Sequence, residues 1–445
     1  MGSQRRRRVV AGGIELEEVV TDPPVEFVAR VAGLDIGKAQ VTACVRVPSE
    51  DAEGTLFPEG RRRQVVRDYS TLSRKLLALA DWLRIERVEL VVMEATGSYW
   101  KPVYYLLEAD GLNCELVNSR HIKNLPGRPK TDTLDAVWLA KVAERGMCGP
   151  SLVHPKPIRQ LRDLTRYRRS LVREQTREKQ RLEKTLEDAQ IKLSAVISDI
   201  FGVSGRLMLA ALIEGQRNPR ALAQLARGSM RPKISVLEEA LTGHFEDHHA
   251  YLARQMLERI DAIGATVADL DDRIEQTVAP FQSLIEVLDE IPGVGARTAQ
   301  ELIGEIGTDM TRFPTAAHLV SWAKFAPIAK TSAGRGTNGG PTGKGNPWLA
   351  ATLGEAVVGA ARTNTFLGER YRRLVKRRGK DRTTIALGNS ILKIVWELLS
   401  HPDQRFHDLG YDWYDSHHHH HRRKNELIRQ LQTLTGQRVT LEPVA

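Results

Sequence analysis

The spacing of apolar positions changes character several times along the chain. Val41, Ala43, Val45 and Val47 alternate with Thr42, Cys44 and Arg46, the period of two that marks a half-buried strand. Gly33-Leu34-Asp35-Ile36-Gly37 interrupts the apolar stretch before it, so two antiparallel strands are expected, joined near Gly37 and Lys38, with a third around Gln64 to Arg67. Leu72, Leu76, Leu77, Leu79, Ala80 and Leu83 then recur at helical spacing, and Val88 to Met93 is a short β-branched run ending at Glu94. A helix over 104–109, a strand over 115–118 and a helix over 133–144 follow. Three strands succeeded by alternating helix and strand predict a mixed α/β domain over 27–152.

Past Pro155 and Pro157 the period lengthens. Leu161, Leu164, Tyr167, Leu171, Leu182, Leu186, Leu193 and Val196 fall mostly three, four or seven apart, the stripe of a coiled coil or helical hairpin. A second helical stretch, about Leu252 to Val278, is expected to pack back on it, making 153–283 a helical region. A mostly α domain over 284–410 follows, with helices at 348–361 and 384–399 around a loop at 331–347 rich in Gly, Thr, Ser and Lys. Ile291-Pro292-Gly293-Val294-Gly295 reads equally as a helix-hairpin-helix turn, whose backbone N–H groups approach a phosphate, or as a plain interhelical turn. Residues 1–26, with Arg5 to Arg8, several acids and Pro23-Pro24, are expected to form a flexible basic arm. Residues 411–445 read as a flexible, histidine-rich linker through His417 to His421 and a helix over 426–434.

Composition narrows the class of partner. The 445 residues carry 65 Lys and Arg against 55 Asp and Glu, a net charge of +10, which favours a polyanion over a membrane. Between Lys156 and Lys192 lie twelve Lys or Arg and six Asp or Glu. Arg166, Arg168, Arg169 and Arg173 are therefore the side chains expected to meet nucleic-acid phosphates and to be replaceable without unfolding; a solvated face or a dimerisation helix fits the same pattern. A second basic cluster runs from Arg370 to Lys380. No run of about 18 uncharged apolar residues is present, so no membrane span is expected. There is no apolar leader, and none of Cys44, Cys114 and Cys148 sits in a CxxC pair, so a reduced, cytoplasmic protein without a cysteine zinc site is expected.

The candidate chemistry is acidic. Carboxylates ending neighbouring strands of an α/β sheet converge, and Asp35 and Glu94 both stand in such contexts. Asp132 and Asp135, three apart, share a helical face. Four converging carboxylates repel unless cations neutralise them, and oxygen-only ligands suit Mg²⁺ or Mn²⁺. Two ions roughly 3.5–4 Å apart can hold both oxygens of a phosphodiester displacement. The alternative is structural: Asp132 caps its helix and Asp135 is a solvated first-turn acid.

The order of these motifs resembles a known family. Asp35 in GLDIGK, then EATGSY (Glu94 to Tyr99), then KTDTLDA (Lys130 to Ala136) is similar to the DEDD transposases of the IS-one-ten insertion-sequence family, and IPGVGARTA and SWAKFAPIAKTSAGRG are similar to that family's C-terminal transposase domain. The resemblance covers most of residues 30 to 400. It implies an RNase H-like (RuvC-like) N-terminal domain, a helical or coiled-coil middle and a mostly α C-terminal domain. It further implies an RNA-guided DNA recombinase that binds donor and target DNA and a guide (bridge) RNA, and that works as a homodimer or higher homo-oligomer. Position by position, it places metal ligands at Asp35, Glu94, Asp132 and Asp135 and the nucleophile at Ser332. Ala333-Gly334 after the serine departs from the pattern, in which many members have glycine directly after it. Two other readings remain beside it: a metal-dependent nuclease acting by hydrolysis, with Ser332 a loop residue, and a non-catalytic nucleic-acid-binding scaffold.

Overall fold

Residues 5–20, expected to be a flexible arm, instead form an antiparallel ribbon of β1 (Arg5–Ala11) and β2 (Ile14–Val20). Its register sets Arg7 opposite Glu18 and Arg8 opposite Glu17, and Val9, Val10, Val19 and Val20 are β-branched. Strand propensity along the pair favours this structure. Alternation within either strand is weak, so the pattern of one strand alone reads as an arm. The computed structural model describes residues 5–11, 14–20, 28–49, 62–95, 97–118, 131–147, 149–328, 330–332, 335–337 and 340–439. Pro23-Pro24, Lys130, Cys148 and Ala333-Gly334 lie outside the described residues.

The chain divides into two compact units, Met1–Val153 and His154–Ala445. The first contains a six-stranded mixed sheet of β3 (Val31–Ile36), β4 (Gln40–Pro48), β5 (Arg62–Ser70), β6 (Leu90–Glu94), β7 (Cys114–Val117) and β8 (Pro150–Ser151), in the order β5-β4-β3-β6-β7-β8. β4 pairs antiparallel with both β3 and β5, β6 joins parallel to β3 and β7 parallel to β6, and β8 closes antiparallel. Helices α1 (Ser73–Ile85) and α2 (Trp100–Ala109) bury Leu79, Leu83, Val103 and Leu107 in one cluster with Leu34, Val45 and Met93 of the sheet. Helix α3 (Asp132–Glu144) buries Ala136, Leu139 and Ala140 in another, with Val31, Cys44 and Val92. Because adjacent strand residues point to opposite faces, the two clusters are the two faces of one sheet. Gly33 fixes how close α3 comes: a Cβ there would lie 2.4 Å from both the Ala136 carbonyl oxygen and the Ala140 nitrogen.

The second unit is mostly helical. The long helix α4 (Lys156–Asp188) ends where Gln190 takes a positive φ of 61°, so the leucine stripe does not continue through Leu193 on one rod. Instead α5 (Leu193–Val196), α6 (Val203–Ile213), α7 (Pro219–Ala223) and α8 (Ile234–Ala240) fold into a cluster around Leu182, Leu209 and Leu237. Helix α9 (Asp247–Val278) then returns along α4, as the second helical stretch was expected to do. After α10 (Gln282–Asp289), the Ile291–Gly295 turn leads into α11 (Ala296–Ile306) and α12 (Ala316–Trp322). A short hairpin of β9 (Lys330–Ser332) and β10 (Arg335–Thr337) occupies part of the expected loop. Helices α13 (Pro347–Ala361), α14 (Phe366–Arg378), α15 (Lys380–Ser400) and α16 (Trp413–Thr435) complete the unit. α16 runs straight through His417 to His421, which corrects the reading of a flexible linker: no Gly or Pro lies between Trp413 and Thr435 to break it. Among the described residues, no helix is long and apolar enough to cross a membrane.

Gly293 has a packing role in its turn. It has a φ of +87°, and a Cβ on it would lie 2.2 Å from the Ala356 carbonyl oxygen. The glycine lets the turn lie directly on α13, a packing reason for the residue that holds under either reading of the turn.

Candidate active site

The registers of the first unit place its acids in one row. β3 and β6 pair Leu34 with Met93, and one further step sets Asp35 level with Glu94 at the C-terminal ends of two parallel strands, where α/β sheets bind ligands. On the other side Asp35 pairs with Thr42, and Thr42 with Asp68. Asp68, Thr42, Asp35 and Glu94 therefore share a face. It is the α3 face, because Gly33, Cys44 and Val92, each two residues away along a strand, all belong to it. Thr42 and Glu94 are buried, and Thr42 Oγ1 donates to Asp68 Oδ1 at 2.7 Å. Asp68 carried no sequence signal; only pairing across the sheet reveals it.

Contacts along α3 give its direction. At its C-terminal end, Glu144 accepts from Arg46 Nε at 2.9 Å, and Arg46 is level with Val31 at the start of β3. Ala140 and Ala136 meet Gly33. The first turn, with Asp132 and Asp135, thus lies toward the Asp35 end of the strand. Thr131, not Asp132, caps this helix: its Oγ1 accepts the Leu134 N–H at 3.3 Å. The structural alternative for Asp132 as a cap therefore falls away, and its side chain is exposed, while Asp135 is half-buried. Sheet and helix bring the four acids to the same end of the domain. They are not gathered onto one point: among the described residues, no group of three or more His, Cys, Asp or Glu is arranged to hold a metal ion.

A family model for DEDD transposases of the IS110 group, described as "Transposase", matches residues 32–191, and a second, described as "Transposase IS116/IS110/IS902 family", matches 285–372. Together they span more than half of the chain. The chain belongs to the IS110 family of transposases. As a transposase it acts on DNA. Asp35, Glu94, Asp132 and Asp135 fall within the first match and Ser332 within the second. The chain is 25% identical, over 71% of its length and 79% of the relative's, to the "Transposase for insertion sequence element IS1111A" of Coxiella burnetii. It is 24% identical to a "Probable family 20 transposase" of Pseudomonas aeruginosa, over 70% of this chain and 84% of that one. It is 27% identical to an "Insertion element IS110 uncharacterized 43.6 kDa protein" of Streptomyces coelicolor, over 48% and 56%.

In the second unit of this transposase, Ser332 closes β9 and pairs with Arg335 across the hairpin, with Thr331 opposite Gly336. The chain leaving the hairpin is anchored at Asn346. Asn346 Oδ1 accepts the Trp348 N–H at 3.0 Å as the cap of α13, and its Nδ2 donates to Glu305 Oε2. Glu305 also accepts two bonds from Arg166, Nε and Nη2, each at 2.7 Å. The neighbouring arginines are engaged in the same way. Arg169 is buried and donates to Glu301 Oε2 at 2.6 Å and Glu355 Oε2 at 2.8 Å, Arg168 pairs with Asp271, and Arg173 lies 5.4 Å from the centre of the Trp348 ring. This corrects the expectation that Arg166, Arg168 and Arg169 can be replaced without cost, while Arg173 is exposed and has no carboxylate partner among the described residues. Arg166, Arg168 and Arg169 are bound to carboxylates of the protein itself. The signal was missed because each of these carboxylates lies more than 100 positions away in sequence.

Proposed function

We propose that the chain is a recombinase that cuts and rejoins DNA, with Asp35, Glu94, Asp132 and Asp135 as ligands of a divalent cation and Ser332 as nucleophile. The observation that carries the reading is the placement of Asp35 and Glu94 at neighbouring strand ends, on the face and at the end toward which α3 points its acidic first turn. Counted from β3 and leaving aside the two-residue closing strand β8, the strand order 3-2-1-4-5 supports an RNase H-like fold for this domain. A donor set of carboxylates alone fits Mg²⁺ or Mn²⁺, which when bound stabilises charge on a phosphodiester undergoing displacement. The chain's own part is to hold Asp35 and Glu94 rigidly on the sheet and to bring Asp132 and Asp135 to them on the helix.

Ser332 supplies what hydrolysis lacks. Attack by its Oγ forms an O–P bond to the protein while one deoxyribose oxygen leaves phosphorus, taking up a proton. The phosphodiester is conserved on the enzyme, and a second DNA strand can reverse the step. Guidance by an RNA of the element, and assembly as a homodimer or larger homo-oligomer through the helical region, complete the proposal and rest on the family resemblance. We divide the second unit accordingly into a helical region to residue 283, a transposase domain over 284–410 and a C-terminal segment over 411–445.

The test is a denaturation-resistant protein–DNA adduct that forms only with divalent metal and maps to the peptide containing Ser332. Ser332→Ala abolishes the adduct and strand exchange but not DNA binding, and Thr331→Ala keeps all three. Cleavage by the wild type without an adduct would establish a hydrolytic nuclease instead. Sequencing RNA that co-purifies with the protein tests the guide, which must match DNA flanking the reading frame.

A further inference from the structure

A cavity of about 490 Å³ opens in the second unit between α14, α15 and the segment 401–412. This is the size range of small-molecule sites. Phe366 and Phe406 supply apolar wall. The site is preformed rather than a gap left by loose chain. The Phe406 N–H donates to Glu290 Oε2 at 3.1 Å, and Arg405 pairs with the same carboxylate. Asp408 Oδ1 accepts the Phe366 N–H at 3.1 Å, tying the segment to the first residue of α14.

The charges of this cavity are unevenly matched. Asp408 turns its oxygens to the backbone N–H groups of Phe366 and Gly410, and Glu397 lies 3.3 Å from His401. The two cations that remain have no carboxylate among the described residues. Arg370 donates through Nη1 to the Tyr414 hydroxyl at 2.7 Å, but its Nε is buried without a hydrogen-bond partner. Lys393, exposed on the next helix, makes no hydrogen bond or ion pair among the described residues. Arg370 and Lys393 thus leave the cavity wall with two positive charges that no carboxylate among the described residues neutralises, and phosphate oxygens suit such a pair. From the cavity, α14 continues through Lys376, Arg377 and Arg378, all exposed. An anion that carries an aromatic group, and that belongs to a longer polyanion, matches all three features.

We propose that this cavity takes one unstacked nucleotide of a single-stranded nucleic acid, its base against Phe366 and Phe406, its phosphate on Arg370 and Lys393, and the continuing backbone along the end of α14. The inference rests on the nucleic-acid reading above but not on its chemistry. Base-on-aromatic stacking with a positively charged track is the usual way in which single strands are held.

Full-length protein is titrated against 2-aminopurine deoxyriboside 5′-monophosphate, its phosphate-free nucleoside, and single-stranded DNA and RNA oligonucleotides carrying one 2-aminopurine. Stacking in the cavity quenches the probe. The monophosphate should bind about tenfold more tightly than the nucleoside, and Lys393→Gln should remove that advantage, because it deletes a phosphate contact and no bond of the fold. Phe406→Ala should weaken both probes. The oligonucleotide that is quenched at lower concentration identifies DNA or RNA as the source. Omitting divalent metal, which silences the proposed cleavage, should leave the binding of every probe unchanged, so that failure of the chemistry and failure of the cavity read out separately. Absence of quenching by all probes, or equal binding by wild type, Lys393→Gln and Phe406→Ala, overturns the proposal.

Discussion

Thr131 and Asp132 are neighbours with separable roles. Thr131→Ala removes the cap of α3 and should cost about 1 kcal/mol of stability in denaturant titrations. Asp132→Asn should leave that stability unchanged and abolish DNA cleavage. A cleavage defect in Thr131→Ala matched by wild-type activity in Asp132→Asn would count against Asp132 as a ligand. His154 provides a pH-dependent counterpart in the second unit. Burial, reinforced by the nearby Arg162 charge, pushes its imidazole down to about 4 from 6.5, and its Nε2 sits 3.0 Å from the Glu305 carbonyl oxygen. The folded state therefore holds the ring neutral where the unfolded chain binds a proton. The stabilisation is complete above about pH 6.5 and drains away as pH falls toward 4, a loss on the order of 3 kcal/mol. Urea unfolding of wild type and His154→Gln between these pH values should show the smaller pH slope in the variant. At this scale the placement of Asp35 and Glu94 on strands and of Asp132 and Asp135 on a helix was legible, because each stands in a short local motif. Asp68, Glu301 and Glu305 were not, because their meaning comes from partners on other strands or helices.

Elements were legible where their period is local. The strands around Asp35, the helix carrying Asp132, and the pair α4 and α9 all follow from spacing of apolar residues. The β1–β2 ribbon, the end of α4 at Gln190 and the continuous α16 did not follow, since they depend on the pairing of two strands, a single backbone angle and the absence of a breaker. Gly33 shows how an element carries function without touching substrate. Its missing side chain seats α3 on β3, so Gly33→Ala forces the Ala136–Ala140 backbone away. A forced shift of this kind in a close-packed interior typically costs about 1–3 kcal/mol. Cleavage should fall far more than that loss explains, because the acidic turn moves with its helix; measured at matched folded fraction, cleavage within twofold of wild type would show that the position of α3 is immaterial.

Over the whole molecule, net charge proves a poor map of where positive charge is free. The +10 excess is real, yet the most arginine-rich part of α4 spends much of its charge inside the second unit. Arg169→Gln should cost about 3–5 kcal/mol by leaving Glu301 buried and unpaired. Lys376, Arg377 and Arg378 changed together to Gln should leave stability intact, weaken nucleic-acid binding and lower the dependence of affinity on salt by up to about three counterions. Filter binding across a salt series, beside thermal melts, checks both; a melt lowered by the triple change, or a binding loss without a change of salt slope, would refute this assignment of charge. The row of Asp68, Thr42, Asp35 and Glu94 has a different kind of consequence, for what the chain can inherit. Side chains on a strand alternate, so one residue added between Val31 and Asp35 would turn the carboxylate toward the α1–α2 face and put a side chain where Gly33 receives α3. Length can be gained or lost only in the connections, whereas within the strands every position is counted, and odd steps are fatal.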